Sequence, residues 1–160
     1  MPNHVAFHDH DHSCCEGGVL DYADQRAREA GLRLTPVRRK TLEILLETHS
    51  AMGAYDVLER LSADGFGDQP PVAYRALDFL VTNGLAHKIR RLNAYTACMY
   101  PEADHAPVFM ICRVCDAVAE AMAQDVRAAV RALADAAKFR VERMNVEVLG
   151  LCPSCQEAAL

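Results

Sequence analysis

Apolar residues recur at helical spacing through the first half of the chain and gather into short extended runs after it. Residues 20–30 form a first amphipathic stretch that Gly31 ends. Thr35-Pro36 then reads as an N-cap followed by proline at the first helical position, and Val37, Leu42, Ile44 and Leu45 of the second helix can face a core. Residues 50–53 break the pattern. A third helix is predicted over residues 54–63, with Val57, Leu58 and Leu61 inward, and a Gly- and Pro-rich loop follows over 64–71. A fourth is predicted over 72–83, entered through Pro70-Pro71 and stopped at Asn83-Gly84. Residues 85–89 and 94–98 read as two strands around the basic turn Arg90-Arg91-Leu92-Asn93. Three or four helices and then a hairpin make a winged helix-turn-helix, in which the helix before the hairpin enters a major groove and the hairpin tip touches the backbone. Helical bundles of this size also occur without DNA.

The remainder alternates differently. Strands are predicted over 108–112 and 117–121, a helix over 125–137 with Val126, Val130 and Leu133 on one face, and extended chain over 139–141 and 146–149. The fold class is therefore α+β. A polar tail (1–18), expected to be disordered, precedes a winged-helix domain (19–98), a linker (99–107) carrying Pro101 and Pro107, and a small α/β domain (108–160). So small a domain is marginal alone, which makes a metal and a partner subunit plausible supports.

Composition adds two constraints. No run approaches the ~18 apolar residues of a membrane span, and no secretory signal is present, so a soluble, cytoplasmic protein with reduced thiols is expected. The formal net charge of −5 hides an uneven distribution: residues 19–95 hold 11 Lys and Arg against 10 Asp and Glu, clustered at 33–40 and 88–91. Local clusters matter more to a phosphate contact than the sum. Arg38, Arg39, Lys88 and Arg90 are the candidates, with plain surface solvation as the alternative. The tail holds four His and two Cys that either bind metal loosely or are simply solvated.

Seven cysteines include two Cys-x-x-Cys pairs, Cys112/Cys115 and Cys152/Cys155, with 36 residues between them. Each pair puts two thiolates on one knuckle, and two knuckles close a tetrahedral shell for structural Zn²⁺. Disulfides or redox pairs are the rival reading. His87, Cys98, His105 and Glu120 form a second possible set. Singly, each reads as a buried small side chain or a surface group. Together, two imidazoles, a thiolate and a carboxylate complete a four-coordinate shell, two donors coming from the winged helix and two from beyond it. The thiolate favours zinc over iron or manganese.

Several ordered stretches carry a resemblance: 31–38 (GLRLTPVR), 54–58 (AYDVL), 70–80 (PPVAYRALDFL), 84–88 (GLAHK), Cys112-Arg113-Val114-Cys115 and 150–155 (GLCPSC). Across residues 20–156 the chain resembles the ferric uptake regulator superfamily, and most its zinc uptake regulator branch. The resemblance implies a non-enzymatic, homodimeric repressor of double-stranded operator DNA. It implies two Zn²⁺ per subunit, a structural ion on Cys112, Cys115, Cys152 and Cys155 and a regulatory one on His87, Cys98, His105 and Glu120. It also implies that Tyr55 and Arg75 contact bases and that Tyr74 lies on the DNA face. Three departures stand out. Val72-Ala73 replaces the family's frequent Thr-Val before Tyr74-Arg75. Only His105 precedes Ala106-Pro107, where iron sensors carry a His-rich run. Met144-Asn145 stands where many members have a His. The alternatives are an iron, manganese or peroxide sensor of the same superfamily, or a zinc hydrolase with Glu120 as base.

Overall fold

The computed structural model describes Phe7 and residues 13–48, 50–102 and 107–158, with the side chains of 13–16 left out. The chain divides between Glu102 and Ala103 into two compact units.

The first unit runs α1 (Ser13–Ala30), α2 (Pro36–Leu46), β1 (Met52–Gly53), α3 (Ala54–Ala63), α4 (Pro70–Thr82), β2 (Ala86–Ile89) and β3 (Ala94–Ala97). Its core is built as the periodicity requires. Leu42 and Leu45 of α2, Val57 and Leu61 of α3, and Leu77 and Leu80 of α4 are spaced three or four residues apart and are all buried. Each such side chain contributes about 1.5–3 kcal/mol by leaving water. Helix α4 ends where Gly84 turns left-handed (φ 71). The N–H of Leu85 bonds back to the Leu80 carbonyl at 2.9 Å and that of Gly84 to Val81 at 3.2 Å, which closes the helix and turns the chain into the hairpin. The hairpin β2–β3 is antiparallel, with His87 opposite Thr96, and β1 adds to β3 to give the order β1-β3-β2. This is the winged helix the pattern predicted.

The second unit runs β4 (Pro107–Cys112), β5 (Val118–Met122), α5 (Gln124–Ala136), β6 (Val146–Gly150) and a short α6 (Pro153–Glu157). Strand β4 lies centrally, antiparallel to β5 and parallel to β6. Phe109, Ile111, Val118, Ala119 and Ala134 are buried there.

Two expectations differ from the structure. Helix α1 begins at Ser13 instead of residue 20, and runs through Gly17-Gly18. Buried Val19 and Ala23 join the core and anchor it, so packing overrides the cost of two glycines. The rest of the expected tail, with His4, His8, His10 and His12, lies outside the described residues, as do 103–106 of the expected linker. Residues 139–141 are not a strand. Lys138, left-handed (φ 54), and Phe139 close the C-terminus of α5, their N–H groups bonded to the carbonyls of Asp135 and Ala134 at 3.0 and 2.8 Å.

Candidate metal centre and nucleic-acid interface

Register brings the two cysteine knuckles together. Parallel pairing sets Cys112 opposite Gly150, and the Arg113 N–H bonds to the Gly150 carbonyl at 2.9 Å. The chain leaving β4 therefore turns beside the chain leaving β6. The first knuckle closes through the Asp116 N–H on the Cys112 carbonyl (3.0 Å) and the Cys112 N–H on Ala117 (2.9 Å), with Asp116 left-handed (φ 57). In the second, Cys152 caps α6 and Pro153 starts it, so Cys155 sits one turn along that helix. That helix was not expected, although Cys-Pro here carries the same signal as Thr35-Pro36.

The ligand atoms of Cys112, Cys115, Cys152 and Cys155 all lie within 4.8 Å of one another. The sulfurs of Cys115 and Cys152 are 3.7 Å apart. That is far beyond a bond of ~2.05 Å. It matches the ~3.8 Å edge of a tetrahedron with zinc–sulfur bonds of ~2.3 Å. No disulfide joins the described cysteines, so the disulfide reading finds no support. Protonation points the same way. Backbone N–H groups of Cys152, Cys115 and Val114 converge on Cys112 and lower its thiol to about 6. At Cys115 the Ala117 N–H favours the thiolate, but the thiols of Cys112 and Cys152 and desolvation outweigh it, and the net shift is upward. Cys155 is pushed up to about 12, first by Cys152 and then by desolvation. Four crowded thiols cannot all ionise without a cation among them. The donor set thus fits a soft divalent ion.

A pH dependence follows. Cys115 and Cys155 both hold protons at neutral pH, so binding zinc must release at least these two. Lowering pH by one unit is expected to weaken zinc retention at least ~100-fold. Competition against a chelator of known proton affinity between pH 7 and 8 measures it, and a pH-independent affinity would contradict the four-thiolate assignment.

The second predicted set is distributed over both units. In the winged helix, the Cys98 N–H bonds to the Leu85 carbonyl at 3.0 Å, extending the ladder in which His87 faces Thr96. His87 and Cys98 are therefore diagonal neighbours on one face. A ring nitrogen of His87 and the Cys98 sulfur lie within 4.8 Å. Cys98 is fully buried and His87 half-buried. In the other unit, Glu120 lies on β5 opposite Phe109 and is only 8 % exposed. His105 lies outside the described residues.

The predicted nucleic-acid face is exposed. Tyr55 in the first turn of α3 is 67 % exposed, Tyr74 on α4 is 39 % exposed, and Arg75 beside it is exposed. Buried Ala73, Ala76 and Leu77 hold the opposite side of α4 to the core. Lys88 and Arg90 are exposed on the wing, the Lys88 ammonium 5.5 Å from the Tyr95 ring centre. The basic run on α2 has partners within its own unit. Arg38 lies against the Phe79 ring, its Cζ 3.9 Å from the centre. Arg39 pairs with Asp24 at 3.4 Å and with Glu43. Lys40 reaches Asp64 at 3.2 Å, and that hydrogen bond raises its pKa. Sequence clustering marked this run as a phosphate patch, and the acidic partners on α1 and at the end of α3 could not be read from spacing.

Residues 29–149 match the ferric uptake regulator family. The zinc uptake regulation protein of Escherichia coli (strain K12) is 34% identical over 140 residues, which cover 87% of this chain and 82% of that protein. The peroxide-responsive repressor PerR of Staphylococcus aureus is 22% identical over 130 residues, covering 81% and 86%. A solved zinc uptake regulator complexed with zinc and DNA matches with a TM-score of 0.85 at 32% identity, over 90% of this chain and 97% of that one. Holo XcZur matches with a TM-score of 0.79 at 35% identity, over 88% and 98%.

Proposed function

The chain belongs to the ferric uptake regulator family, and from that premise we propose that it is a zinc-responsive transcriptional repressor that binds operator DNA as a homodimer in the cytoplasm. The observation that carries this reading is the buried Cys98 thiol beside the His87 imidazole on the wing sheet. A soft donor pair built into the DNA-reading unit has no use in groove recognition itself. With His105 and Glu120 it makes a four-donor set suited to zinc. Together with the four cysteines this gives two zinc ions per subunit.

When bound, a zinc ion would supply a common positive centre for the four donors. His87 and Cys98 belong to the wing, and Glu120 to the sheet of the other unit. An ion held in common would restrict the orientation of the reading unit, and operator affinity would gain only as much as the two orientations differ in metal affinity. A dimer reading two half-sites needs its α4 helices about one DNA turn apart, ~34–36 Å. The dimer is supported by apolar side chains that the second unit leaves exposed: Val126 and Leu133 on α5, and Val148 and Leu149 on β6. Helix α5 buries only Ala134 against its own chain among the described residues, so its apolar stripe needs a second copy.

The testing experiment is a titration with Zn²⁺, Fe²⁺ and Mn²⁺ while following binding to the protein's own promoter region. Zinc should act at far lower free metal. Response to iron or manganese at lower concentration would favour those sensors, and peroxide-dependent release of DNA with oxygen added to His87 or His105 would favour a peroxide sensor. Metal-dependent hydrolysis without DNA binding would favour an enzyme. Arg75→Ala is expected to cost about 1–3 kcal/mol of operator affinity per lost bidentate guanine contact, with binding to unrelated duplex little changed. Equal losses on both duplexes would remove Arg75 from base reading.

A further inference from the structure

We propose that Arg38 is a positioning residue for operator reading, one that fixes the recognition helix α4 through Phe79 instead of contacting a phosphate. This rests on the reading of the chain as an operator-binding regulator. Arg38 lies in the first turn of α2. Its Nη1 donates to the Arg33 carbonyl at 2.6 Å, in the loop between α1 and α2. Its guanidinium covers the Phe79 ring with Cζ 3.9 Å from the centre, well within the ~6 Å of a cation–π contact. Phe79 is one helical turn after Arg75 on α4 and therefore on the same side of that helix. The Asn83 side-chain amide, at the C-cap of α4, also donates to the Phe79 carbonyl at 2.8 Å, which ties this last turn to the helix end. The stack thus sets the rotation of α4 directly beside Arg75. Because the planar guanidinium is both stacked and hydrogen-bonded, lysine cannot replace it. The neighbouring cations serve the same framework: Arg39 ties α2 to Asp24 of α1, and Lys40 ties it to Asp64 at the end of α3.

The test measures operator and unrelated duplex binding against salt for the zinc-loaded full chain, as wild type, Arg38→Gln, Arg38→Lys, Phe79→Leu and the Arg38→Gln/Phe79→Leu double variant. Thermal melts and zinc content check folding. Each single change is expected to weaken operator binding about tenfold. Binding to unrelated duplex and the salt slope should stay as in the wild type, and the double variant should lose no more than either single one. A purely structural defect would not alter the operator-to-unrelated ratio in a folded, zinc-loaded protein. If Arg38 contacts phosphate, Arg38→Lys will bind as the wild type does, and Arg38→Gln will flatten the salt slope by about 0.9 per subunit with both duplexes weakened alike. Either result overturns the inference. A wild type with no operator preference would overturn the functional reading and this inference with it.

Discussion

Cys112→Ser should empty the four-cysteine centre and leave the second unit unfolded or monomeric. The expectation comes from magnitudes. Structural zinc supplies apparent binding free energies of about 10–16 kcal/mol in small zinc-folded peptides, whereas a whole domain is stable by only about 5–15 kcal/mol. Among the described residues the second unit buries few large side chains, Phe109 and Ile111 foremost. Its sheet has three strands, and α5 buries only Ala134 among the described residues. The knuckles join the ends of β4 and β6, so losing the centre also frees the ends of the central strand pair. Serine offers no thiolate, and backbone N–H groups lower the Cys112 thiol to about 6. Zinc content, sedimentation and circular dichroism would check this. A dimeric variant with undiminished zinc would show that the cysteines do not hold the fold.

Cys98→Ser should give the opposite phenotype. The residue is fully buried beside His87 in the first unit, away from the four-cysteine centre in sequence and in unit. Serine nearly preserves its volume, so folding and dimerisation should survive with one zinc per subunit. The zinc-dependent gain in operator affinity should disappear. Coupling between two ligand sites is typically 1–3 kcal/mol, or about 5–150-fold, and that is the loss to look for. Binding assays with and without added zinc measure it directly. Zinc dependence equal to that of the wild type would remove Cys98 from the sensing site.

The four-cysteine cluster was partly legible in the sequence. Cys112/Cys115 and Cys152/Cys155 have a ligand spacing that is rare by chance, and the α2, α3 and α4 core positions follow a plain 3.6-residue period. What spacing could not supply was register. Only the parallel pairing that sets Cys112 opposite Gly150 explains why distant knuckles meet. The same holds for His87 and Cys98, whose proximity follows from a ladder that aligns Leu85 with Cys98. Boundaries were legible at Pro36, a proline at the first helical position, and at the left-handed Gly84, although the Thr35 hydroxyl expected to cap α2 makes no cap hydrogen bond. They were misread at Gly17-Gly18, where burial of Val19 and Ala23 outweighs local propensity, and at residue 138, where a lysine takes the left-handed cap position that usually marks itself by glycine. The charge run at 38–40 also has partners that spacing does not show. A cation's partner is a tertiary fact, and Asp24, Asp64 and Phe79 are far from it along the chain.

The most direct measurement brings the full-length dimer from one to two equivalents of zinc per subunit in a free-zinc buffer, while operator affinity and zinc content are read on the same samples. Affinity should climb over the same range of free zinc in which the second equivalent loads. Affinity that stays flat while the second equivalent loads would contradict a regulatory ion on His87, Cys98, His105 and Glu120.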